Sequence, residues 1–282
     1  MEGFSEKLAI RSYLRLMHEL AMRVELVAYA CDGKLTLTPP YAREYSYLQF
    51  RRICELMALG CLQLHGDLPV ARTKAATKEW NAERIMRLLH RSHPHAFPQS
   101  VTTTSENGVW HHVANSKPNA LTLSEFKTLY GECGDLLHRG TIRSIESEKP
   151  INLRDYEKVI EWQRKIVDLM NQHVVARQNG EGMYLVSLKS ENGLPACSVF
   201  SDFVGDSVKV ATYNLAAASS EEPEGGSAAL PRAEDGPSQA AFAACCGRLA
   251  RTLIWLSVST ETNKACPRSA VGELQIPEPR AR

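Results

Sequence analysis

Two groups of residues have the types and spacing to do chemistry. The first lies in Leu123 to Gly140, LSEFKTLYGECGDLLHRG. At about 100° per residue, Gly131, Gly134 and His138 fall on one flank of a helix, beside its apolar face. Two glycines inside a helix cost roughly 1 kcal/mol each relative to alanine, so a notch that admits a backbone or a ligand would justify them. With Asp135 and Arg139 adjacent, such a notch has the makings of a nucleotide or phosphate contact. Its alternative is a close helix crossing with His138 hydrogen-bonded beside it. The second group is Arg51, Arg52 and Glu55, spaced i,i+4 and i,i+3 on one helix. Glu55 enters an almost wholly apolar stretch, so it needs a cationic partner or a proton. The group reads either as a structural ion pair at a bundle mouth or as part of a polar pocket with His65, or with His138 and Asp135.

Other chemistry has less support. None of the eight cysteines forms a C-x-x-C pair, and the nine histidines include no H-E-x-x-H, so metal binding and resident cofactors are not expected. Cys54, Cys61 and Cys133 sit in apolar helical patterns and read as reduced core residues. His111 and His112 are adjacent on a strand and point to opposite faces. His90, His93 and His95, with Arg87 and Arg91, read as a basic helix end favoured by the helix dipole. There is no G-x-S-x-G elbow, no P-loop and no dinucleotide fingerprint.

The elements that must position these groups are mostly helices. Residues 5–31 carry apolar side chains along one face. Pro39-Pro40 blocks helix until about Ala42, and a second helix follows from about Arg43 to His65. Between Ile53 and Leu64 only Glu55 and Gln63 are strongly polar, so this is the central, buried helix. A third helix is expected over 77–93. The notched helix begins with a Thr122-x-x-Glu125 capping box and ends at Gly140 as a left-handed cap. A long helix is expected over 153–177. Hairpins are expected near residues 100–113, turning at 105–108, and near 183–200, turning at Asn192-Gly193, with a further strand over 208–213. The fold class is α+β, mainly α: a helical bundle with two small β-hairpins in an ordered body of residues 1–214. From 215 to 282 the alanine-, glycine- and proline-rich composition reads as a linker-like, largely disordered tail.

A net charge of +1 with 23% charged residues excludes a general polyanion-binding surface but leaves room for a local basic patch. No apolar run approaches the roughly 18 residues a membrane span needs, and MEGFSEK is no secretory signal, so the expectation is a cytoplasmic protein with no membrane partner.

The compact helical body and the helix ending Leu136-Leu-His-Arg-Gly140 resemble HEPN-type domains. The resemblance covers at most residues 5–178. It implies a helical bundle of the kind found in bacterial toxins and defence proteins, many of them metal-independent ribonucleases. The family motif is an arginine followed, after four to six residues, by a histidine near a helix end. His138 and Gly140 match its histidine and small residue. Gly131, Glu132 and Cys133 stand where its arginine would be. The same spacing recurs in Arg84 with His90, Arg87 with His93 and Arg11 with His18, so it discriminates little. Another cation, such as Arg51, Arg52 or Arg139, would have to stabilise phosphate charge. Three functions are carried forward: a helical interaction or ligand-binding module, a ribonuclease using His138, Glu55, Arg51 and Arg52, and a structural homo-oligomer whose contact is the notch. RNA, a nucleotide or a second copy of the chain are the expected partners.

Overall fold

The computed structural model describes residues 4–106, 109–138, 154–177, 182–204 and 207–215. The chain divides into a unit of residues 1–220 and a second unit of residues 221–282. The expected tail beyond Leu215, Arg139 and the Gly140 cap lie outside the described residues.

The first unit contains α1 (Glu6–Cys31), α2 (Pro39–Leu64), α3 (Ala82–Ser92), α4 (Leu123–Leu137) and α5 (Arg154–Met170). Its strands are β1 (Gln99–Glu106), β2 (Val109–Ala114), β3 (Gln172–Ala176), β4 (Met183–Ser187), β5 (Ala196–Val204) and β6 (Ser207–Asn214). Two 3-10 turns, Pro69–Arg72 and Ala76–Lys78, link α2 to α3. This is an α+β fold.

α1 and α2 form the centre. Tyr13, Met17 and Leu20 of α1 meet Phe50, Ile53 and Met57 of α2, all essentially inaccessible to water. Each such side chain contributes about 1.5–3 kcal/mol by leaving water. Gly60 is what lets the two helices close. A Cβ there would lie 2.8 Å from Tyr13 Cε2. Pro39 and Pro40 open α2 rather than block it, because the first helical positions have no intrahelical N–H bond to lose.

α4 starts with the expected box. Thr122 Oγ1 accepts from the Glu125 amide at 3.2 Å, and Glu125 Oε2 accepts from the Thr122 amide at 2.9 Å. The same carboxylate pairs with Lys165 of α5 at 3.0 Å, so the cap also anchors a neighbouring helix.

The strands differ from two isolated hairpins. They form one six-stranded antiparallel sheet in the order β2-β1-β3-β4-β5-β6. The strand that unites them, β3, occupies what the sequence pattern assigns to the end of the long helix. That helix stops at Met170, and the β-branched pair Val174-Val175 goes into the sheet. Alternation then sorts the side chains. Val175, Tyr184, Val186, Cys197 and Val199 face the helical core, while Val174 and Leu185 join Val101, Met183 and Phe200 in a second cluster. β1 pairs with β3 at only two positions, Gln99 with Val174 and Ser100 with His173. The β1–β2 hairpin then curls over the second cluster, which brings the rings of His112 and Phe200 to 5.6 Å across three intervening strands. Asn192-Gly193 makes the expected turn, with Gly193 in the left-handed region at φ +77°.

The third helix is also shorter than expected. Asn81 caps it, its side chain accepting from the Arg84 amide at 3.0 Å, and residues 77–80 belong to the turn before it. Among the described residues no helix is long and apolar enough to cross a membrane.

Candidate functional site

The crossing of α2 and α4 gathers part of both expected groups. Arg51 leaves α2 toward α4, with its guanidinium carbon 5.2 Å from the centre of the Tyr130 ring. Its Nη1 lies 3.9 Å from where a Cβ on Gly134 would stand. Glu55 holds Arg51 Nε at 3.4 Å and Arg52 Nη1 at 2.9 Å. Its side chain is 14% exposed, against 24% for Arg51 and 57% for Arg52. Glu55 is thus paired as its position demanded, but at the edge of the core. Two guanidinium groups against one carboxylate leave the cluster with a net positive charge.

Tyr130 is legible in the sequence only as part of the apolar face of α4. It serves here as the platform beneath Arg51. Its hydroxyl is buried, and burial raises its pKa against the opposing pull of the Ala82 backbone and of Arg51. Burial likewise pushes Cys133 up to about 12 despite the nearby Arg51, and raises Cys54, so both thiols stay protonated at neutral pH.

The remaining expected residues are placed differently. Gly131 and Asp135 are exposed, and a Cβ on Gly131 would meet nothing within 4 Å. Among the glycines inside the described helices, the one that faces a neighbour closely is Gly60, not Gly131 or Gly134. His138 caps the C-terminal end of α4, exposed, with its amide donating to the Gly134 carbonyl at 3.1 Å. It stands one helical turn past Gly134.

His65 is absent from this cluster. It is buried against the sheet, its ring centre 5.0 Å from that of His93. The Nε2 atoms of both rings lie on one acceptor, the Ala176 carbonyl, at 3.1 and 3.2 Å. His65 Nδ1 is also 2.8 Å from the Cys61 carbonyl. A neutral imidazole has one N–H, so the two carbonyls favour the cation. Burial opposes them more strongly and lowers the pKa.

His173 carries no signal in the sequence, because it lies in a segment whose pattern reads as helix. It is fully buried. Its Nδ1 donates to the Met170 carbonyl at 2.9 Å and its Nε2 accepts from the Tyr13 hydroxyl at 2.6 Å. Burial holds its pKa down to about 4, so it is neutral. Both ring nitrogens are satisfied and neither reaches water, so this pair joins α1 to β3 and has no access to a substrate.

A groove of about 500 Å³ lies between the start of α1 and the end of α2, lined by Phe4, Leu8, Leu62 and Arg72 among others. Arg72 donates from Nε to the Gly66 carbonyl and covers the Phe4 ring. Among the described residues no group of three His, Cys, Asp or Glu side chains could hold a metal ion.

Comparison with family models, curated proteins and solved structures gives no match to this chain.

Proposed function

We propose that this chain is a ligand-binding module whose α2–α4 notch takes an anionic group, such as the phosphate of a nucleotide or of RNA. One observation carries the reading. Arg51 is oriented by Glu55 and Tyr130 alongside a helix that has no side chain at Gly134 to cover it. An arginine fork held in place loses less freedom on meeting a phosphate than a mobile one does. Equilibrium binding of ATP and of a short RNA to the whole chain and to Arg51→Ala tests this. Affinity should fall at least tenfold while the melting temperature stays within a few degrees. Equal affinity would remove the notch from consideration.

A second reading is a metal-independent ribonuclease. It is favoured by the exposure of His138 one turn beyond the position that Arg51 approaches. A histidine within reach of a cation-bound phosphate can act as general acid or base toward a ribose 2′-hydroxyl. RNA turnover in EDTA that disappears in His138→Ala would select this reading over simple binding.

A further inference from the structure

The whole chain is nearly neutral, yet residues 69–95 hold six lysines and arginines against two carboxylates, with three histidines besides. The excess is displayed on one element and its approach. α3 buries Ala82, Ile85, Met86 and Leu89 in the core. Its other face carries Arg84, Arg87 and Arg91, all exposed. At about 100° per residue these three fall within roughly 60° of arc, and they span about 10 Å of the helix axis. The preceding turns add exposed Lys74 and Lys78. Arg84 meets Glu79 only at 3.8 Å, and Arg87 pairs with Glu83 of its own helix. Among the described residues no carboxylate lies within ion-pair distance of Lys74, Lys78 or Arg91.

Trp80 stands at the head of this stripe and is 63% exposed. Its support is rigid. Glu79 accepts from the Trp80 amide at 3.1 Å and from the Asn81 amide at 3.0 Å, while Asn81 caps α3. A large aromatic face is therefore held out to solvent on a braced turn. The groove at the start of α1 adjoins this turn, since Thr77 and Glu79 form part of its wall.

We propose that α3 and the turn before it form a binding surface for single-stranded nucleic acid, with Trp80 stacking on a base and Arg84, Arg87, Arg91, Lys74 and Lys78 tracking the phosphates. Cations alone would suit any polyanion. The exposed indole favours a strand whose bases are unstacked, because a duplex offers no free base face. The arginine spacing of three and four residues gives separate positive charges along a line rather than one point. The proposal is independent of the α2–α4 notch and uses none of its residues.

The test measures anisotropy of a short fluorescein-labelled oligouridylate and of an oligothymidylate against the full chain, with a duplex and polyglutamate as competitors. Either single strand should bind, and both competitors should displace it poorly. Log affinity should fall linearly with log salt. The triple variant Arg84→Gln, Arg87→Gln, Arg91→Gln should weaken binding at least tenfold and flatten the salt slope by about 0.7 for each phosphate it no longer neutralises. Trp80→Ala should weaken binding about tenfold and Trp80→Phe much less. All substituted side chains are exposed, so melting curves should superimpose on the parent. The proposal is overturned by undetectable binding to both single strands, by duplex competing as well as oligouridylate, by polyglutamate doing so, or by binding that the α3 and Trp80 variants leave unchanged. Loss of binding in Arg51→Ala with these variants unaffected would assign the nucleic acid to the notch and overturn the α3 assignment.

Discussion

Tyr13 fills the space that the missing side chain of Gly60 leaves on α2, its ring within 2.9 Å of where a Cβ would be. The same tyrosine hydroxyl donates to His173 on β3 at 2.6 Å. One residue therefore fixes the distance between the two central helices and the attachment of the sheet beneath them. Gly60→Ala must push the ring or the helix aside. We expect a loss of about 1–3 kcal/mol, which outweighs the propensity gained by leaving glycine. Thermal or urea unfolding checks this. A Gly60→Ala protein as stable as the parent would mean that the crossing relaxes without cost.

The two glycines of α4 should behave in the opposite way. Gly131 faces open space, and Gly134 meets only the far end of Arg51 at an ordinary contact distance. An added methyl group has room at both. Each alanine substitution should be neutral or stabilising by up to about 1 kcal/mol. The sequence points to the reverse, a close crossing. Its period correctly puts both glycines on one flank of the helix, but no periodicity says whether that flank meets a helix or water.

Glu55 should matter less than a fully buried ion-pair partner. Removing one member of a deeply buried pair costs about 3–5 kcal/mol, whereas exposed pairs are worth about 0–1 kcal/mol. Glu55 sits between those limits, partly wetted and holding two arginines. Glu55→Gln should cost roughly 1–2 kcal/mol by chemical denaturation. It should also weaken phosphate binding at Arg51, since the guanidinium loses the carboxylate that orients it. Unaltered affinity in this variant would argue that Arg51 is only structural.

Much of the helical frame is legible in the sequence because it rests on local rules. The T-x-x-E box fixes the start of α4, and the apolar run from Ile53 to Leu64 marks the buried helix, whereas Asn81, which caps α3, lies inside the span expected to be helical from residue 77. The sheet is harder to read. β3 follows directly on α5 with no glycine or proline between them, and its two valines fit the helical period well enough to be absorbed into it. Pairing between distant strands leaves no local trace, so two hairpins could be seen but not the sheet that joins them. The site follows the same pattern. Arg51 with Glu55 is a sequence-local pair, whereas Arg51 over Tyr130 is a tertiary fact separated by 79 positions.

His173 makes the stability of this fold depend on mild acid. Unfolded, a histidine titrates near 6.5. In the fold, burial holds this one neutral down to about pH 4. Between those values the unfolded chain binds a proton that the native chain does not. The contribution is therefore fully present above about pH 6.5 and is lost as pH falls toward 4. At about 1.4 kcal/mol per pH unit the window is worth roughly 3 kcal/mol. His65, also shifted down by burial, acts in the same direction. The groups that meet the two ring nitrogens of His173 are uncharged, the Tyr13 hydroxyl and the Met170 carbonyl. Denaturant titrations from pH 7 to pH 4.5 should show the loss in the parent chain. His173→Gln cannot take up the extra proton on unfolding, so it should begin less stable and show a visibly shallower slope. A slope that His173→Gln leaves unchanged would assign the acid sensitivity to His65 or to carboxylates instead, and the buried Tyr13–His173 pair would then have no part in it.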